Sequence, residues 1–128
     1  MFSHVMLGSN DLERSKRFYD ATFAVLGAPE GVVDPKGRLV YVHAGGRLLL
    51  TRPLNGEPAT PSNGFTLGFA AKDQAAVEAW QAAGADAGGE VIEDPAGVRQ
   101  APSGPLYIAY LRDPDGHKVC AVHRMPKA

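Results

Sequence analysis

Two stretches of this chain repeat one another at a fixed distance. Aligning His4 with Thr66 sets an offset of 62 residues (66 − 4), and the same offset pairs Asp11 with Asp73, Phe18 with Trp80, Ala21 with Ala83 and Gly27 with Gly89. Each copy begins with a short apolar run, continues into an amphipathic helix and ends in strand-like segments. One copy alone cannot bury both its helix and its sheet, so the repeat calls for two copies packed as one unit. At 128 residues the chain is too short for two independent domains.

In the first copy the apolar run ends at Gly8, and Asn10 with Glu13 three residues later supplies a capping-box start for a helix. Leu12, Ser15, Phe18, Tyr19, Thr22, Phe23 and Leu26 follow at helical spacing, and Gly27 ends the stripe. Strands are predicted over residues 31–34, 38–44 and 47–52, with breakers at Pro35-Lys36-Gly37 and Gly45-Gly46. In the second copy the pattern predicts a strand over 65–71 and a helix opened by Lys72-Asp73, with Val77, Trp80 and Gly84 on one face. Strands over 90–93, 106–112 and 117–123 complete it, with a loop over 94–105. Asp113-Pro114-Asp115-Gly116 is a hairpin turn, because Pro fixes φ and Asp-Gly tolerates positive φ. The expected architecture is a single α+β domain over residues 1–128, built from two βαβββ modules that form a curved mixed sheet around a central cup. Module one spans 1–53, a Pro/Gly/Asn-rich linker 54–63, and module two 64–124.

Charge and cysteine content narrow the function classes. Thirteen basic side chains balance fourteen acidic ones with no basic run, which argues against nucleic acid as a partner. No apolar run approaches the length of a membrane span, and the N-terminus lacks a signal-peptide pattern. The one cysteine, Cys120, forms no internal disulfide, which fits a reducing compartment, so the reading is cytoplasmic.

His4-Val5-Met6-Leu7-Gly8, Asp11-Leu12-Glu13-Arg14-Ser15, Phe18-Tyr19, Phe65 to Ala70 and Tyr110 to Val119 resemble the vicinal oxygen chelate superfamily of glyoxalases, bleomycin-resistance proteins and extradiol dioxygenases. The resemblance covers nearly the whole chain. It implies a cup with four metal-ligand positions, on the first and last strands of each module. Those positions fall at His4, Leu49, Thr66 and Cys120, the last where the family usually has a glutamate. Leu49 offers no lone pair and a neutral Thr66 hydroxyl is a poor ligand, so a His/Cys pair is left, and divalent ions need three or four good donors. No metal or other cofactor is expected beyond weak divalent binding.

Strand alternation places Tyr41, Ile108 and Tyr110 in the cup with His4, Leu49, Thr66 and Cys120. His4 either contacts a ligand or is held by a single hydrogen bond; Thr66 either donates to a ligand oxygen or serves β propensity. Cys120 reads as a small buried hydrophobe rather than a reactive thiolate, and His43, His117 and His123 show no ligand spacing. Arg52 and Arg99, beside the two long loops, are candidate anion clamps. The leading functional expectation is a protein that binds a small organic molecule in a cup with a degenerate metal site. The alternative is a glyoxalase-like lyase or isomerase with His4 as base and Thr66 or Tyr110 as oxyanion donor; a protein-interaction module is the third. The family resemblance further implies a homodimer.

Overall fold

The computed structural model describes residues 1–126; Lys127 and Ala128 lie outside the described residues. The first half runs β1 (Val5–Gly8), α1 (Leu12–Val25), β2 (Val32–Val33), β3 (Leu39–His43) and β4 (Gly46–Thr51). The second runs β5 (Leu67–Ala70), α2 (Gln74–Asp86), β6 (Glu90–Val91), β7 (Gly97–Ala101), β8 (Gly104–Arg112) and β9 (Lys118–Arg124). Each half folds into its own mixed sheet, ordered β1-β4-β3-β2 and β5-β9-β8-β6, with the first strand of each half parallel to its last. The α+β class and the duplicated topology expected from the repeat are both present.

The helices start where an aspartate can cap them. Asp11 accepts from the Arg14 amide and Asp73 from the Ala76 amide, and the two occupy equivalent places in the repeat. The capping box expected at Asn10 and Glu13 does not form. Asn10 lies one residue outside the cap, and its amide group instead brackets Ala59 of the linker, donating to its carbonyl at 3.1 Å and accepting from its N–H at 2.7 Å.

The expected loop over 94–105 is largely strand. Val98 and Gln100 alternate with Gly97, Arg99 and Ala101, and Pro102-Ser103 turn the chain back into β8. β6 and β7 share one edge of β8: Val91 faces Leu111 and Gly97 faces Ile108, so the intervening residues bulge out. Arg99 is spent on this bulge, donating to the carbonyls of Asp94 and Pro95.

The halves join through their helix-bearing sides. α1 packs on α2, and Gly84 makes the approach possible: a Cβ there would lie 2.3 Å from Leu111 Cδ1 and 3.0 Å from Thr22 Cγ2. Phe23 ties the sheets together, its ring 4.9 Å from Tyr41 of β3 and 4.9 Å from Phe69 of β5. Phe18, Tyr19, Trp80, Leu39, Leu50 and Leu111 are fully buried in this one core.

A buried polar clamp closes the same seam. The Asp113-to-His117 turn of the second half holds the β1–α1 junction of the first. Asp115 accepts from the Asn10 amide (2.9 Å), Arg14 (2.8 Å) and Ser15 (3.2 Å), while Tyr19 donates to Asp113 at 2.6 Å. His117 Nε2 donates to the Gly8 carbonyl at 2.7 Å. Burial raises the Asp113 carboxyl above the ordinary aspartate range despite these donors. Among the described residues no helix is long and apolar enough to cross a membrane.

Candidate functional site

Strand alternation sorts every candidate onto one face or the other of its sheet. In the first sheet, Leu7, Leu39, Tyr41, Leu48 and Leu50 enter the helix-side core. The opposite, outer face carries Met6, Leu49 and Val40, which are consecutive cross-strand partners, with Val32 beyond them. In the second sheet, Leu67, Phe69, Ala109, Leu111, Val119 and Ala121 face the helices. Their strand neighbours Gly68, Cys120 and Tyr110 form one cross-strand row on the outer face, and Ala70, Val122 and Ile108 the next.

Tyr41 therefore leaves the expected site. It is registered with Leu48, not Leu49, and so points to the core, where its hydroxyl donates to Asp20 on α1 at 2.7 Å and its ring packs on Phe23. Burial and the Asp20 carboxylate hold its phenol protonated. Val40 and Val42 take the outer places on that strand.

His4 and Leu49 belong to the first sheet's outer face, and Thr66, Ile108, Tyr110 and Cys120 to that of the second. Among the described residues no hydrogen bond joins the two groups. His4 is exposed, its Nδ1 2.6 Å from the Ser3 hydroxyl. A cavity of about 240 Å³ between the halves is lined by His4, Val5, Phe23, Tyr41, Leu48 and Phe69; of the expected cup residues it brings together His4 and Tyr41, and Leu49, Thr66, Ile108, Tyr110 and Cys120 are not part of it.

The donor chemistry of the second outer face is specific. Cys120 is buried, and burial pushes its thiol up to about 11, so it stays neutral near pH 7. Gly68 opposite leaves the room: a Cβ there would lie 3.2 Å from the Cys120 sulfur. Burial also raises the Tyr110 phenol, which keeps it a hydrogen-bond donor. Lys118 Nζ stands 4.8 Å from the centroid of the Tyr110 ring and pairs with Glu93. Among the described residues no group of three or more His, Cys, Asp or Glu could hold a metal ion.

Sequence reasoning missed the polar cavity of about 460 Å³ at the mouth of this face, lined by Ser62, Asn63, Thr66, Arg112 and Lys118. Its signal was the register that puts Lys118 beside Arg112, which depends on an exact hairpin length.

Comparison with known proteins agrees with the fold. The model of the Glyoxalase/Bleomycin resistance protein/Dioxygenase superfamily matches residues 1–121. A solved glyoxalase/bleomycin resistance protein from Albidiferax ferrireducens T118 is 52% identical with a TM-score of 0.93, covering 97% of this chain and 99% of that one. A glyoxalase-related enzyme from Fulvimarina pelagi (24% identity, TM-score 0.73, 97% and 88% covered) and a lactoylglutathione lyase from Agrobacterium tumefaciens (24%, 0.65, 96% and 92%) share the fold. None of the curated proteins matches the chain.

Proposed function

Because the chain belongs to the glyoxalase/bleomycin resistance protein/dioxygenase superfamily, we propose that it binds a small organic molecule on the outer face of its second sheet, without a resident metal. The observation that carries this reading is the donor set at the four positions where metal-using members hold an ion. Leu49 has no lone pair, the Cys120 thiol is protonated at neutral pH, Thr66 is a neutral hydroxyl, and His4 stands on a different sheet. Such a set does not fit a tightly held divalent ion.

The halves meet back to back, so a complete cup needs the outer face of another chain's first half. We therefore read the functional unit as a homodimer in which Leu49 and His4 of one copy face Cys120 and Tyr110 of the other. The apolar row of Met6, Leu49 and Val40, with Met6 41% exposed, favours such a cover. A cytoplasmic location accords with the single reduced cysteine.

Metal analysis of purified protein tests the reading directly. Substoichiometric metal and a ligand-dependent rise in melting temperature are expected; one tightly held equivalent dependent on His4 would refute it. Sedimentation showing only monomer at micromolar concentration would remove the shared cup.

A second reading, a lyase or isomerase acting on a small carbonyl compound, draws on the protonated Tyr110 phenol beside Cys120, which can donate to a developing oxyanion. It requires His4 of a second copy as base. Turnover that persists unchanged in His4→Ala would eliminate it.

A further inference from the structure

We propose that the polar cavity beside Thr66 is an anion-binding pocket, and hence that the molecule taken by this face is an organic acid with an apolar body. The inference rests on the reading of the second outer face as a ligand site and adds the chemical class.

The face is graded in polarity. Lys118 and Arg112 are direct cross-strand partners, and Thr66 precedes the Leu67–Val119 pair by one residue, so Thr66, Lys118 and Arg112 make one row across three strands. Two residues further along lies the row of Gly68, Cys120 and Tyr110, and two further that of Ala70, Val122 and Ile108. Rows two residues apart are spaced by roughly 7 Å. A ligand lying along the strands thus meets two cations and a hydroxyl first, an aromatic ring and a neutral thiol next, and aliphatic carbon last. The small residues Gly68 and Ala70 leave a trough on the β5 side.

The cationic end is short of counter-charge. Among the described residues no carboxylate lines the cavity. Both carboxylates of the neighbouring turn are committed, Asp113 to Tyr19 and backbone amides and Asp115 to Arg14, Ser15 and Asn10. Glu93 occupies Lys118. Glu90 is opposite Arg112 in register, yet among the described residues no carboxylate lies within ion-pair distance of that guanidinium. Arg112 is half-buried and makes one hydrogen bond, from Nη1 to the Gly116 carbonyl at 2.7 Å. A partly buried guanidinium with donors to spare favours a carboxylate or phosphonate, which its planar fork can bind in bidentate fashion. Among the described residues the hydroxyls of Thr66 and Ser62 take part in no hydrogen bond and can complete the shell.

Calorimetric titration of the full chain with phenylphosphonate and phenylacetate, against neutral benzyl alcohol, tests this at low ionic strength. The anions are expected to bind at least about tenfold more tightly than the alcohol, and added salt is expected to weaken them. Arg112→Gln should lose about tenfold in anion affinity. Glu93→Gln should gain affinity, because it releases Lys118, a result that a merely structural role would not produce. Lys118→Gln provides a milder loss should Arg112→Gln unfold. Equal binding of acid and alcohol, or anion affinity unmoved by both the Arg112 and Lys118 changes, overturns the anion inference and leaves the ligand face standing. Silence of all three probes overturns both.

Discussion

The seam between the halves and the outer face of the second sheet are both rich in polar side chains, but they use them in opposite ways. In the seam, Ser9, Ser15, Tyr19, Asp113, Asp115 and His117 hydrogen-bond within the chain, and the Ser9, Ser15 and Tyr19 side chains are fully buried. On the outer face, among the described residues, the Thr66 hydroxyl takes part in no hydrogen bond and the Arg112 guanidinium makes one. Buried polar groups that satisfy each other fix a geometry, because breaking any link strands its partner away from water. Polar groups without an intrachain partner along an open trough are available to a ligand. The Asp-Pro-Asp-Gly turn, conspicuous in the sequence, thus belongs to architecture.

Substitutions in the two regions should separate accordingly. The largest loss is expected for Asp115→Ala, which removes the shared acceptor of Arg14, Ser15 and the Asn10 amide. Chemical denaturation should show about 2–4 kcal/mol, the lower part of that range reflecting the partial exposure of Arg14. A loss below about 0.5 kcal/mol would mean that the clamp does not hold the halves. Tyr19→Phe should cost about 1–3 kcal/mol, since it strands the buried Asp113 oxygen.

Asp113 gives the comparison a pH signature. Its carboxyl binds a proton more readily in the fold than in the unfolded chain, chiefly through burial. Its contribution to stability is therefore complete below the ordinary aspartate range and is lost as pH rises through the elevated value. Asp113→Asn abolishes that dependence, so the stability difference, wild type minus variant, should shrink between pH 4 and pH 7. A difference that grows over this interval would reverse the assignment.

Effects on stability should be small on the outer face. Thr66→Val is expected to stay within about 0.5 kcal/mol of wild type while weakening ligand binding. With its thiol near 11, Cys120 should have roughly one molecule in a thousand ionised at pH 8. Labelling by a disulfide reagent should accordingly run far slower in the native protein than in denaturant; equal rates would place the sulfur in water.

Much of this molecule was legible in the order of its residues. The 62-residue repeat, the helical stripe from Leu12 to Leu26 and the hairpin at Asp113 are local patterns, and local backbone geometry enforces them. Alternation along β8 and β9 likewise put Ile108, Tyr110 and Cys120 on one face of the second sheet, and along β4 it turned Leu49 away from Leu48 and Leu50, because a strand's period of two leaves no freedom once its register is set. Tyr41 failed the same logic, since only pairing with Leu48 rather than Leu49 fixes its side, and the Asp20 carboxylate that rewards the inward choice comes from α1. The strand at Gly97–Ala101 escaped because its neighbouring prolines and glycines mimic a loop until β8 supplies hydrogen-bond partners. How the halves meet was decided only by tertiary packing. A duplicated βαβββ unit can bury its helices or its outer faces against its twin, and the absent side chain at Gly84, the Phe23 bridge and the buried turn all reward the helix side.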